Sequence, residues 1–247
     1  MRETRVKSYW WREVPNFGDA LSPLLAERFG EIKVKWDTIS HAQLASVGSI
    51  LEHIPPLWDG IILGSGKLFE FSRLHLHTKT ATILAVRGPL SARGIPGSFA
   101  TADPGLLAAD LVGLQEKQWD LGIVSHWQDV ELASKFSALV PAPYNYVVIN
   151  PSDDPLQILR QIAACRRIVT SSLHGMIAAD SFGIPRRVEY CAAFDRGEKD
   201  FKFRDYAASI QMPMEFGKMQ EPSRFRVEDK IFEIYDAYKA LRGALEK

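Results

Sequence analysis

Short apolar runs alternate with amphipathic stretches along the whole chain. The apolar runs predict strands at Val6–Trp10, Ile32–Trp36, Leu44–Val47, Gly60–Leu63 and Ile83–Val86, and again at Leu121–Val124, Tyr146–Ile149, Arg167–Thr170 and Arg187–Tyr190. Helical periodicity fills much of the space between them, at Ala20–Phe29, Pro89–Arg93, Pro104–Leu111, Val130–Leu139, Pro155–Cys165 and Leu173–Phe182. Continuously apolar strands separated by helices predict parallel sheets covered on both faces, hence an α/β fold. Asp103-Pro104 and Asp154-Pro155 each supply a capping carboxylate followed by proline at the first helical position. The periodicity breaks over Gly113–Asp120, which predicts two Rossmann-like lobes, 1–115 and 116–247, facing each other across one cleft. A final amphipathic helix, Val227–Leu245, carries Ile231, Ile234, Tyr235, Tyr238 and Leu241 at helical spacing and fits against either lobe.

Composition narrows the class. The 247 residues carry 30 basic and 30 acidic side chains and are 46% hydrophobic. That is enough for real cores and far from a disordered composition, and the neutral balance argues against a nucleic-acid partner. Two cysteines, Cys165 and Cys191, make no disulfide framework and are expected as buried thiols in a reducing compartment. The start, Met1-Arg2-Glu3-Thr4, leads into no signal-peptide apolar region, and no apolar run approaches the roughly 20 residues of a membrane span. The expectation is a cytoplasmic protein that is not integral to a membrane, with peripheral contact at the inner face left open.

Candidate chemistry concentrates where strands end. Ile168-Val169-Thr170 runs into Ser171-Ser172-Leu173-His174-Gly175 and then a small-residue helix. A turn of that kind places backbone N–H groups and the positive end of a helix beside a histidine that titrates near neutrality. Arg87 closes an apolar strand before Gly88-Pro89; its planar fork suits a carboxylate or phosphate, the alternative being a structural ion pair, with Asp103 as a candidate partner. His126 follows the strand Leu121–Val124 and reads equally as a cleft residue or a structural one. Val14–Leu21 reads as a strand-to-helix loop in which Asp19 caps the helix, or as a loop presenting Asn16 and Asp19 to sugar hydroxyls. Gly64-Ser65-Gly66-Lys67 is a glycine turn without Walker A spacing or a third dinucleotide-fingerprint glycine; it fits a cleft-lining loop or a plain tight turn. His75 and His77 have no acidic or cysteine cluster near them, so surface histidines are expected rather than a metal site. The basic stretch Arg196–Arg204 reads as a solvated loop.

Asn16-Phe17-Gly18-Asp19, Gly64-Ser65-Gly66, Arg87-Gly88-Pro89, Asp103-Pro104-Gly105, Ser125-His126, Ser171–Gly175 and Lys202–Tyr206 together resemble the polysaccharide pyruvyltransferase family. The likeness runs in consistent order through nearly the whole chain and is nearest to the short branch acting in bacterial exopolysaccharide synthesis. It implies a GT-B-like pair of lobes. It also implies transfer of the enolpyruvyl unit of phosphoenolpyruvate onto two hydroxyls of a sugar, in an exopolysaccharide or its lipid-linked precursor, giving a pyruvate ketal and phosphate. Functional roles for His174 and Arg87 follow from the same likeness. On this chemistry Arg87 and the segment Ser171, Ser172, Leu173, His174 and Gly175 would each hold one anion of the donor. His174 would act as general acid/base or steady the leaving phosphate, and His126 would serve the complementary proton step. Asn16, Asp19, Gly64 and Ser65 would meet the acceptor, and the scheme requires no metal or cofactor beyond the donor substrate. The competing expectations are a GT-B nucleotide-sugar glycosyltransferase, with Glu189 as its ribose contact, and a non-catalytic sugar-binding homologue.

Overall fold

A computed structural model describes residues 5–75, 80–129, 131–193 and 200–246. Eleven strands are described: β1 (Arg5–Tyr9), β2 (Lys33–Trp36), β3 (Leu44–Ala45), β4 (Ile61–Leu63), β5 (Thr82–Val86), β6 (Ala100–Thr101), β7 (Leu121–Val124), β8 (Tyr146–Ile149), β9 (Ile168–Thr170), β10 (Arg186–Val188) and β11 (Met219–Gln220). The α-helices are α1 (Phe17–Phe29), α2 (Pro89–Ala92), α3 (Ala108–Val112), α4 (Glu131–Ser137), α5 (Pro155–Ala163), α6 (Leu173–Ser181), α7 (Phe201–Ser209) and α8 (Arg224–Leu245), with 3₁₀ turns at Leu51–His53 and Pro104–Leu107. The expected alternation of strand and helix is therefore present.

The first six strands form a parallel sheet in the order β2-β1-β3-β4-β5-β6. The other five form a second sheet, β11-β10-β9-β7-β8, parallel except for the antiparallel edge pair β10–β11. Each sheet reverses direction of growth once. The chain places β2 on one side of β1 and β3 on the other; it places β8 on one side of β7 and β9 on the other. In an open parallel sheet the loops leaving the two strands at such a reversal splay apart and open a crevice. The crevice loops here are those after β1, β3, β7 and β9.

One continuous core runs through both lobes. It joins Val6, Leu21, Leu44 and Leu63 of the first lobe to Val124, Ile149, Leu159 and Ile168 of the second. Helix α1 packs against β2 and also against α5 and α6, so it belongs to both lobes. Helix α8 returns to the first lobe and covers β4, β5 and β6 with Ile234, Tyr238 and Leu241, all fully buried. Ile234 and Leu241 each contribute about 1.5–3 kcal/mol relative to leaving them exposed.

Residues 201–204 depart from the solvated loop expected of Arg196–Arg204, and continue into residues 205–209. They form α7, which packs against α2 with Phe201, Lys202, Phe203, Asp205 and Tyr206 buried. Apolar residues on either side of Lys202 supply the reason, since they need a core to enter. Residues 196–199 of that stretch, and His77, lie outside the described residues. Cys165 is buried as expected, whereas Cys191 is only partly so. No described helix is long and apolar enough to cross a membrane.

Candidate functional site

The crevice loops of the two lobes meet around a cavity of about 210 Å³. This is below the size of drug-like ligand sites, roughly 300–1,000 Å³, so it suits a small substrate together with one end of a larger one. The loops after β1 and β3 contribute Trp11, Asn16, Asp19 and Gly48-Ser49-Ile50; those after β7 and β9 contribute His126-Trp127-Gln128 and Ser172-Leu173-His174. His53, Leu68 and Lys202 complete the lining.

The turn around His174 is built by hydroxyls. Thr170 Oγ1 donates to Val124 O at 2.7 Å and accepts from Ser172 N–H at 2.9 Å. Gly175 lets it sit there, because a Cβ at that position would lie 2.3 Å from Thr170 Oγ1. Ser171 Oγ accepts from His126 N–H at 2.9 Å and so ties the loop after β7 to the end of β9. Ser172 is the N-cap of α6 but makes no side-chain capping bond, which leaves the first-turn amides without a capping oxygen. These amides and the helix dipole favour an anion nearby.

His174 packs directly on Gly18, with Phe17 edge-on to its ring at 6.4 Å. It is 7% exposed, and its Nε2 has no hydrogen-bond partner. Burial, together with Lys202 and Arg87, depresses its pKa to about 3. Asp103 approaches Nε2 only to 3.9 Å and has an unpartnered Oδ2 of its own. Burial raises the Asp103 carboxyl to about 6 against the Gly105 N–H and Arg87. With the imidazole neutral at pH 7 and the contact longer than a hydrogen bond, the two do not form an ion pair. As expected, Asp103 caps the following 3₁₀ turn, accepting from Gly105 N–H at 2.8 Å.

Asp19 does not cap α1. The helix begins at Phe17 with Asn16 as N-cap, its Oδ1 accepting from Gly18 N–H. Asn16 Nδ2 then donates to Asp19 Oδ2 at 2.7 Å, so both side chains face the cavity as a joined pair. Burial raises the Asp19 carboxyl to about 7, against the pull of Lys202 and Asn16.

Arg87 departs from expectation. Its guanidinium is enclosed: Nε donates to Asp205 at 3.0 Å, Nη1 to Ser49 Oγ at 2.7 Å and Nη2 to Lys67 O at 2.5 Å. The alternative of a structural ion pair therefore holds, with Asp205 as partner rather than Asp103. Asp205 also accepts from the N–H groups of Leu90 and Ser91 and from Ser91 Oγ. One carboxylate from α7 thus caps α2 and neutralises Arg87 across the two lobes. Arg87 does not line the cavity. It stands one residue behind, positioning Ser49.

Gly64 and Ser65 are likewise displaced from the acceptor-binding role expected of them. Gly64 is packed against Pro104, and the Ser65 hydroxyl donates to Ser46 O within the sheet. Both follow β4, one strand away from the reversal. Ser171 and Gly175 shape the turn without lining the cavity. The expected residues that do line it are Asn16, Asp19, His126, Ser172, Leu173 and His174. Glu189 is engaged by Arg187 at 2.5 Å and Lys135 at 3.5 Å, and it too lies outside the cavity.

Sequence reasoning missed three of the lining side chains that matter. Lys202 is 8% exposed and brings the cavity a positive charge from α7. Trp11 and Trp127, one from each lobe, lie with ring centroids 5.8 Å apart, and His126 stacks on Trp127 at 5.7 Å. Trp11 was findable, since it lies two residues past the first strand of a parallel sheet; Lys202 was marked only as part of the family-like segment Lys202–Tyr206, with no role attached. Among the described residues no three His, Cys, Asp or Glu side chains gather as a metal site.

The sequence profile of the family described as polysaccharide pyruvyl transferase matches residues 61–188, more than half of the chain. The chain is 30% identical over 217 residues to the succinoglycan biosynthesis protein ExoV of Rhizobium meliloti (strain 1021), covering 83% of this chain and 65% of that protein. It is 26% identical over 213 residues to the uncharacterized protein L143 of Acanthamoeba polyphaga mimivirus, covering 80% of this chain and 71% of that one. The chain thus spans about two thirds of the length of these relatives. The profile match covers both β4, which precedes the glycine turn, and the His174 turn, and it places the chain in the polysaccharide pyruvyl transferase family.

Proposed function

We propose that the protein transfers the enolpyruvyl unit of phosphoenolpyruvate onto two hydroxyls of a sugar, forming a pyruvate ketal and releasing phosphate during exopolysaccharide assembly. The observation that carries this is the convergence, in one inter-lobe cavity, of Lys202, the uncapped start of α6 and a buried neutral His174. Phosphoenolpyruvate brings a phosphate and a carboxylate. Lys202 takes one anion as a point charge and the α6 amides the other. Arg87, paired with Asp205 behind Ser49, positions that residue rather than contacting the donor.

A neutral imidazole has no surplus proton to deliver at pH 7, so His174 serves the departing phosphate. Its unpartnered Nε2 meets a phosphate oxygen, and the growing negative charge raises the ring's affinity for a proton. His126, on the loop after β7 and stacked on Trp127, serves the acceptor side. The Trp11–Trp127 pair supplies an aromatic surface suited to the C–H face of a pyranose. The cavity holds the donor and the reacting ring, and the remainder of a free or lipid-linked oligosaccharide extends outside. The donor is a cytoplasmic metabolite, which assigns the reaction to that side of the membrane.

Phosphate release from phosphoenolpyruvate, measured with a panel of p-nitrophenyl hexopyranosides as acceptor probes, tests this. His174→Ala lowers turnover about 10²–10⁴-fold. Near-full turnover by that variant removes His174 from the mechanism. Wild-type protein that neither binds phosphoenolpyruvate nor releases phosphate from it, and hydrolyses UDP-sugars instead, overturns the whole assignment in favour of a glycosyltransferase. Acceptor binding without phosphate release points to a sugar-binding homologue.

A further inference from the structure

Transfer from phosphoenolpyruvate needs a group that can give a proton to carbon and take one from oxygen at neutral pH. His174 is held neutral by its burial, by Lys202 and by Arg87. The half-buried His126 already accepts at Nδ1 from Gln128 N–H, at 3.3 Å. Asp103 is fully enclosed and does not line the cavity. The remaining acidic group is Asp19, which is 8% exposed and lines the cavity.

We infer that Asp19 is the proton-transfer residue, its carboxyl protonating the donor's methylene carbon and its carboxylate then deprotonating the attacking sugar hydroxyl. This rests on the assignment of phosphoenolpyruvate as donor made above. Its geometry is fixed on both oxygens. Oδ2 is held by Asn16 Nδ2 at 2.7 Å, and Asn16 cannot turn its amide over because its own Oδ1 accepts from Gly18 N–H. Oδ1 lies over Gly48, where a Cβ would come within 2.7 Å of it and where φ is +121°, so a larger residue at 48 is excluded twice. The same helix turn places Gly18 beneath His174. The start of α1 therefore positions both the proton carrier and the phosphate-facing imidazole.

The charged groups around Asp19 pull in opposite directions, Lys202 more strongly than Asp103. Lys202, from α7, favours its carboxylate; Asp103, from the turn after β6, favours its acid; Tyr9, at the end of β1, also senses its charge. Burial outweighs these and raises its carboxyl to about 7; a group that must both give and take a proton is most effective when it titrates near the pH at which it acts.

The steps conserve atoms and charge. The carboxyl O–H bond breaks and the donor's C2=C3 pair forms the new C3–H bond, which leaves a cationic C2. A sugar hydroxyl bonds to C2 and returns its proton to the Asp19 carboxylate. The C2–O bond to phosphate breaks, and the phosphate leaves with the electron pair beside Lys202 and His174. The second hydroxyl bonds to C2, passes its proton to the phosphate and closes the ketal.

The test compares full-length wild type, Asp19→Asn and Asp19→Glu for phosphoenolpyruvate binding by calorimetry, for phosphate release with the same acceptor probes, and for the pH dependence of kcat/KM. Asp19→Asn is expected to bind phosphoenolpyruvate within about threefold of wild type and to lose about 10²–10⁴-fold in turnover. Wild type shows a limb near pH 7 that Asp19→Asn lacks and that Asp19→Glu recovers at lower rate. Near-wild-type turnover by Asp19→Asn overturns the inference. So does a folded Asp19→Asn that no longer binds phosphoenolpyruvate, which would make Asp19 a binding group. If wild type itself neither binds phosphoenolpyruvate nor releases its phosphate, the donor assignment has failed, and the inference falls with it.

Discussion

Gly18→Ala isolates the position of His174 from its chemistry. The backbone accepts the change, because Gly18 lies inside α1 and outside the positive-φ region; alanine there gains about 0.5–1 kcal/mol of helix preference. The space does not accept it. The new Cβ would lie 2.0 Å from His174 Nδ1, 2.5 Å from Cγ and 2.9 Å from Cβ. Ordinary contact begins at 3.4 Å, so the ring atom at 2.0 Å must retreat by about 1.4 Å. Rotating the ring does not relieve this, because the root of the side chain is itself too close. Overpacking of this kind costs about 1–3 kcal/mol. That outweighs the helix gain yet stays below the total stability of a typical domain, about 5–15 kcal/mol. A displacement of about 1 Å in a reacting group costs about 100-fold in rate. Gly18→Ala is therefore expected to remain folded, to melt lower by at most about 10 °C at about 2–4 °C per kcal/mol, and to lose about 100-fold in phosphate release. Gly243→Ala is the control: it lies in α8 with no atom within 4 Å of the added Cβ, so it should melt slightly higher with unchanged turnover. A folded Gly18→Ala enzyme within about threefold of wild-type turnover refutes the claim that His174 acts from this position.

Asp205→Ala leaves Arg87 buried without a counter-ion and uncaps α2, at a cost of about 3–5 kcal/mol. It should lower Tm by about 10 °C in thermal denaturation; an unchanged Tm would show that the inter-lobe network is not structural. Lys202→Met removes a charge-assisted contact worth about 1.5–3 kcal/mol and should weaken phosphoenolpyruvate binding about 10–100-fold by calorimetry, and an unaltered Kd would remove Lys202 from the donor site. The Asp19 carboxyl is raised from 3.8 to about 7, so its folded form holds a proton that the unfolded chain releases. Its contribution to stability is fully present below pH 3.8 and is lost as pH rises to about 7. Asp19→Asn, which mimics the protonated form, should therefore melt above wild type at pH 8, with the gap closing toward pH 4. A gap that stays constant over that range would mean that Asp19 does not titrate in the fold. His174, lowered to about 3, acts in the opposite sense in both proteins and cancels from the comparison.

Strand and helix positions were legible because burial on both faces forces apolar runs and because caps are local. β7 and β8 lie where their apolar residues predict them, and Asp154 caps α5 by accepting from Gln157 N–H at 2.9 Å. The two-residue strands β6 and β11 were missed, since two residues carry no period. Helix α7 was missed because its charges, Lys202, Arg204 and Asp205, outweighed its aromatics when residues were taken one at a time. Two of those charges are buried, each beside groups from distant parts of the chain.

The sequence by itself determined the family, the α/β alternation, and the turns in which His174, Asn16, Asp19 and His126 sit, because each turn is specified by neighbouring residues. Tertiary structure decided which turns meet. Arg87 and Ser65 end strands β5 and β4, and by local chemistry they are as good candidates as Asn16 or His126. The cavity forms only at the reversals between β1 and β3 and between β7 and β9. Strand order is a pairing between distant segments, and no local periodicity records it. The same long-range placement encloses Arg87 behind Ser49, brings Lys202 into the cleft, and withdraws water from Asp19 so that its carboxyl is raised to about 7.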